Sequence, residues 1–257
     1  SLASTSFSNS AGIAISTNTS NVTTAGNNGN GNKILNNTIT GGYYGITTIG
    51  TNTTTFCKNN EIINNVITGQ AYYGVYSQFQ DSIKINQNTI RNLLATNTNS
   101  IGIWCQYVER FEINRNNVNY VGQTGFDLSF MNYQNGTGTS RSSMVNNMIG
   151  GFFYNTSAAG VNLQSRARNI DINHNSISMG NNSSGSAFNI SYSTTGTYGG
   201  LVFRNNSLVN YSSLSSVGNF YWQNSGLTPA VPFTAFENNN FFNANPLVTG
   251  STTISSF

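Results

Sequence analysis

Ile83-Lys84-Ile85-Asn86-Gln87-Asn88-Thr89-Ile90 decides how this chain folds, because variants of it recur about eight times along the sequence. As a template it reads apolar-x-apolar-x-x-Asn-x-apolar. Ile83 and Ile85 are two apart and so point to one side of an extended strand. Asn88 then bends the chain, and Ile90 opens a second inward run. Close copies are Phe111-x-Ile113-x-x-Asn116-x-Val118 and Ile170-x-Ile172-x-x-Asn175-x-Ile177, with looser ones ending at Ile39, Ile67, Ile149, Leu208 and Phe241. A motif of this kind, repeated along one chain, is the mark of a solenoid.

The repeated Asn stands at 37, 65, 88, 116, 147, 175, 206 and 239. Its spacing is that of stacked coils, and its irregularity that of loops of variable length. A second element follows each Asn: Gly45-Ile46, Gly74-Val75, Gly102-Ile103, Gly125-Phe126 and Gly160-Val161, with Ala187-Phe188 in the same place further on. Gly12-Ile13-Ala14-Ile15 belongs to an earlier, degenerate coil. The rival is a leucine-rich repeat, which needs an apolar residue three before the first Ile and a helical return. Gln80, Val108 and Ala167 stand there, and no return segment has a helical period.

These features predict an all-β chain, a single right-handed parallel β-helix of about eight to nine coils. One domain spans 1–257, with an irregular first coil over 1–31, regular coils over 33–242 and a tail over 243–257 carrying a weak strand from Thr252 to Ser255. Neither end offers a helix to cover its strand edges, so the expectation is a piece of a longer chain or an assembly with neighbouring domains or subunits. In the stack, equivalent Asn side chains donate to the coil above and accept from the coil below, an asparagine ladder.

Composition narrows the function classes. Charged residues are only 7% of 257 and the net charge is +3, without the dense basic stripe that nucleic-acid binding requires. No apolar run is long enough to span a membrane, so membrane insertion is not expected. Cys57 and Cys105 fall nearly two coils apart, which disfavours a disulfide, and Cys105 reads as an inward stacker. Asn-x-Ser/Thr is frequent but follows from composition. His174, the one histidine, aligns with Asn36, Asn64, Gln87, Arg115, Asn146 and Asn205 as a turn residue. It cannot build a metal site alone, so no metal or cofactor is expected.

Two outward faces carry candidate chemistry. On the first strand one column reads Lys33, Glu61, Lys84, Glu112, Ser143, Asp171, Val202, Ala235, and its neighbour Asn30, Lys58, Asp81, Glu109, Ser140, Arg168, Gly199. Alternating sign favours ion pairs between coils, with Arg204 and Glu237 pairing further along. Alternatively, Asp81 and Glu109 on adjacent rungs form an acid–base pair, with Lys84, Arg110 and Arg141 beside it to neutralise an acidic sugar. On the second strand the outward column reads Thr47, Tyr76, Trp104, Asp127, Asn162, Asn189. Tyr76 and Trp104, extended by Asp127 and Asn162, form a candidate glycan platform, since aromatic faces cover a pyranose while polar groups orient its hydroxyls.

The Asn column, the coil spacing and the Gly-apolar-x-apolar strand together resemble the right-handed parallel β-helix proteins of the pectin-lyase-like group. That resemblance covers nearly the whole chain and implies the fold. The group includes polysaccharide lyases and hydrolases, phage tailspikes and adhesins, so it leaves the activity open. Gly125-Phe126-Asp127 is similar to part of the Tyr-Gly-Phe-Asp-Pro-His stretch of alginate epimerases, but Leu128 and Ser129 replace Pro-His and no role carries over. The expected function is an extracellular or cell-surface β-helix of bacterial or phage type. It binds or presents to a polysaccharide or cell-surface glycan without catalysis. The alternatives are a polysaccharide lyase working through Asp81, Lys84, Glu109 and Arg110, and a structural spacer or filament subunit.

Overall fold

A computed structural model describes residues 9–18, 21–27, 29–93, 99–134, 140–151, 158–180, 185–192, 199–211, 219–224, 233–243 and 248–250. Successive coils contribute strands to three parallel sheets, and each strand inside a sheet pairs with its equivalents one coil below and one coil above. Sheet A runs from Ala11–Ile15 through Tyr44–Ile49, Tyr73–Asp81, Ile101–Glu109, Thr124–Met131 and Ala159–Ala167 to Val248–Gly250, with the short Cys57–Lys58 beside it. Sheet B starts at Lys33–Leu35 and ends at Phe233–Glu237. Sheet C starts at Thr38–Thr40 and ends at Asn240–Asn243. All pairings are parallel and link successive coils. The chain is a parallel β-helix.

Three inward columns fill its interior. Sheet B supplies Ile34, Ile62, Ile85, Ile113, Met144, Ile172 and Phe203 in register, and sheet C supplies Ile39, Ile67, Ile90, Val118, Ile149, Ile177 and Leu208. Sheet A adds Ile46, Val75, Ile103, Phe126, Val161 and Phe188, and all of these are buried in one continuous core. Towards the C-terminal coils phenylalanine takes over, with Phe188 stacked on Phe220 at 5.7 Å and Phe203 on Phe236 at 5.1 Å. Cys57 and Cys105 are both free thiols and both buried, Cys105 in the core as its position predicts.

Sheets B and C are joined by two residues in every coil. The first is left-handed throughout: Asn36, Asn64, Gln87, Arg115, Asn146, His174, Asn205 and Asn238 have φ between 54° and 60°. Asn tolerates that conformation better than most residues, which explains its frequency there and places His174 in a turn. The second residue is the repeated Asn, turned inward. Asn88 Oδ1 accepts from the backbone N and Nδ2 of Asn65, both at 3.0 Å, while Asn88 Nδ2 donates to Asn116 Oδ1 and to the Ile62 carbonyl. The same bonds link Asn116, Asn147, Asn175 and Asn206 to the next coil. The bonds to backbone on both sides were not expected from sequence. They make the side chain a splint for the turn as well as a link between coils.

The predicted weak strand at Thr252 to Ser255 lies outside the described residues. At the other end, Ile13 pairs with Ile46 and Ile15 with Thr48, so residues 11–15 form a rung of sheet A as the Gly12-Ile13-Ala14-Ile15 motif suggests.

Candidate functional site

The charged face forms first, from sheet B and the turn leading into it. The strand column is in the predicted register from Lys33 to Ala235. Lys33 pairs with Glu61 and Lys84 with Glu112, each at 3.7 Å. Arg141 meets Asp171 at 2.7 Å and Arg204 meets Glu237 at 3.2 Å. Asp81 and Glu109 are register partners, as their spacing implies. Arg110, however, grips Asp81 with both Nε and a terminal guanidinium nitrogen, the Nε–Oδ1 bond being 2.7 Å. Glu109 is buried, and its Oε1 accepts the Gln134 backbone N–H at 3.0 Å. Every one of these ion pairs joins neighbouring coils.

One column position differs from expectation. Beside Glu109 stands Asn132, which follows Met131, the partner of Val108; Ser140 does not stand there. Asn132 is buried, accepts from Arg110 N at 2.7 Å and from Ser142 Oγ at 3.0 Å, and donates to the Arg168 carbonyl. An extra loop enters this coil between the two candidates, and spacing alone does not say on which side of it the column resumes.

The second face is the outside of sheet A. Thr47, Tyr76, Trp104, Asp127, Asn162 and Asn189 form one register column. Parallel strands lie about 4.8 Å apart, and at that spacing the Tyr76 and Trp104 rings stack at 4.4 Å with an angle of 8°. Asn189 Nδ2 donates to Asn162 Oδ1 at 2.9 Å, and Gln164 Nε2 donates to Asp127. The four predicted site residues therefore form one strip across four successive coils.

The strip sits deeper than alternation implies. Tyr76 and Trp104 point outward but are half-buried, because Tyr73 lies 5.4 Å from Tyr76 and 6.1 Å from Trp104. Tyr44, Tyr73, Ile101 and Val22 make a small apolar cluster outside the main core, with Tyr43 and Tyr72 stacked at 5.1 Å on its edge. Burial raises the phenol pKa values of Tyr44, Tyr73 and Tyr76, with neighbouring tyrosines adding to the shift. Sequence reasoning missed these four tyrosines, although Tyr-Tyr-Gly at 43–45 and again at 72–74 was a visible signal.

Further along the same strands Phe79, Tyr107 and Phe130 form a second aromatic column. Its ring centroids are 5.3 Å and 4.5 Å apart, and Tyr133 packs edge-on. Between the two aromatic columns lie Gln78, Gln106, Ser129 and Gln164, with Gln78 Nε2 donating to Gln106 Oε1 at 2.7 Å.

The chain matches no known protein-family profile and no curated protein. Among solved structures it is similar to tailspike protein 3 of bacteriophage CBA120, with 14% identity and a TM-score of 0.44 over 88% of this chain. It is also similar to the catalytic domain of a GH87 α-1,3-glucanase in complex with tetrasaccharides, with 13% identity and a TM-score of 0.36 over 84% of this chain. The chain spans 33% of the first of those chains and 50% of the second.

Asp127 is the charged member of the strip. Burial pushes its carboxyl up from 3.8 to about 6, while the Gln164 hydrogen bond pulls the other way. The folded state therefore holds the proton more tightly than the unfolded chain. Stability contributed by this group is present below about pH 4, declines through pH 6 and is absent above it. Asp127→Asn removes the charge and keeps an acceptor for Gln164. At pH 7.5 it should raise stability by up to about 3 kcal/mol, and at pH 3.5 it should change little. Thermal melts at the two pH values check this; a lower melting temperature at pH 7.5 would mean that the amides outweigh burial.

Proposed function

We propose that the outer face of sheet A binds a glycan, and that the protein is a cell-surface or extracellular β-helix of the adhesin or tailspike kind that holds its ligand without turning it over. The observation that carries this reading is the stacked Tyr76–Trp104 pair, continued in register by Asp127 and Asn162. The two rings stack face to face, so their outer edges lie side by side as one apolar strip against which a pyranose can pack, with a carboxylate and an amide beside them to hold its hydroxyls. Absence of turnover is supported by the state of the charged face. Asp81 is occupied by Arg110 and Glu109 is buried under the Gln134 backbone, so neither carboxylate stands ready as an acid or base.

The test is one substitution read in two ways. Trp104→Ala should weaken binding of any glycan captured on an array by at least about tenfold. Because Trp104 also packs on Tyr73, a modest fall in melting temperature accompanies that loss. Unchanged affinity overturns the platform. Parallel assays for unsaturated uronate products and for new reducing ends, run on wild type with the same glycans, should stay silent, and a signal in either overturns the non-catalytic part.

A further inference from the structure

We infer that Phe79, Tyr107 and Phe130 are the far wall of the same site, and that the site takes an uncharged polysaccharide lying along the helix axis. This inference rests on the glycan-binding reading above and adds the ligand's charge and direction to it.

Backbone conformation is the first argument. Phe79, Tyr107 and Phe130 have φ of 54°, 54° and 55°. A bulky residue held in the left-handed region costs of order 1–3 kcal/mol and persists where something else requires it. The left-handed positions at the two ends of sheet B are filled instead by Asn, Ser, Gln, Arg and His. In the next coil the same bend is met by Ser165, with φ 62°, so the position itself does not demand a ring. Three aromatic rings in succession are explained by what the rings themselves contact.

Geometry is the second. The two aromatic columns are three residues apart along each strand, about 10 Å. Both run up the axis, the first with a ring on two coils and Asp127 on the third, the second with a ring on all three, and the floor between them is Gln78, Gln106 and Ser129. Gln78 and Gln106 offer both donors and acceptors there, as sugar hydroxyls need. A pyranose unit is about as long as the rise between coils, so successive sugars along the axis meet equivalent surroundings.

Charge is the third. Across the strands Tyr73–Asp81, Ile101–Glu109 and Thr124–Met131, Asp127, in the first column, is the one charged side chain described short of the strand ends. Arg110, at the strand end, is held by Asp81, and Arg166 enters one coil further on, beyond the irregularity that follows Ser129. A uronate chain laid in this trough would bring its carboxylates to Asp127, and among the described side chains of these three strands no cation opposes them. Neutral sugars pay no such penalty.

The experiment is titration calorimetry with cellohexaose, maltohexaose, chitohexaose and hexagalacturonate, on wild type and on Tyr107→Asn. Asparagine accepts the left-handed backbone, so the variant should melt no lower than wild type. At least one neutral hexaose should bind about tenfold or more tighter than hexagalacturonate, and Tyr107→Asn should weaken it about tenfold. Equal or tighter binding of hexagalacturonate overturns the charge assignment. Neutral binding that survives Tyr107→Asn but falls with Trp104→Ala overturns the second wall and leaves the platform standing. If none of the four binds wild type this inference fails, and an array that captures no glycan at all overturns the glycan-binding reading beneath it.

Discussion

Replacing Asn88 by Ala should destabilise the protein by about 3–5 kcal/mol, far beyond the effect of an ordinary polar-to-Ala change. Asn88 sits in the core of the stack and makes four hydrogen bonds: it accepts twice from Asn65 and donates to Asn116 and to the Ile62 carbonyl. Alanine strands the Asn65 backbone N–H, buried far from water, and takes one bond from the Ile62 oxygen, which keeps its place in the sheet B ladder. A stranded group costs roughly 1–3 kcal/mol beyond the bonds lost. Asn99→Ala, at an exposed position on the loop before Ile101, should cost well under about 1 kcal/mol. Denaturant unfolding of the two variants decides the matter, and similar losses in both would remove the Asn column from the list of forces holding the coils together.

Gly102→Ala should cost about 3 kcal/mol for a steric reason. A Cβ on Gly102 would lie 2.6 Å from the carbonyl oxygen of Gly125 and would also strike Val118. Gly74 stands in the same relation to Gly102, again at 2.6 Å. The obstacle is the backbone of the next coil, which yields only by opening the sheet A ladder. This is why Gly precedes the apolar residue in coil after coil, a regularity visible in the sequence without its cause. A loss below about 0.5 kcal/mol would show that the coil spacing relaxes to admit the methyl group.

How far the sequence could be read follows from which features repeat. The Ile-x-x-Asn-x-Ile core made sheets B and C legible to the residue, because the two-residue turn between them never changes length. The outward column from Thr47 to Asn189 was equally legible, since Gly-apolar marks its start in each coil. Alternation tells the side on which Tyr76 lies. It does not tell depth, which depends on Tyr44 and Tyr73 packing around it from the first position of the strand. Ser140 was misplaced because the sequence from Met131 to Ser140 is longer than the equivalent stretch in neighbouring coils, and spacing alone does not say where the column resumes. Phe79, Tyr107 and Phe130 were missed because a left-handed residue breaks the period-two pattern that reveals outward positions. The residues that assemble the candidate site thus include those that depart from the repeat.

The invariant two-residue turn has a consequence for how such a molecule diversifies. Coil length varies between 23 and 33 residues from one Asn to the next, and none of that variation falls between sheets B and C. Apart from single extra residues at irregularities in sheets A and B, it enters at the two connections that border sheet A. The stack therefore resembles an immune-receptor framework: a fixed spine at the back, and hypervariable rims on either side of the one face where a ligand would be met. Insertions there lengthen a surface loop at small entropic cost and leave the Asn column in register. New recognition specificities are then open to this architecture without re-solving the problem of folding.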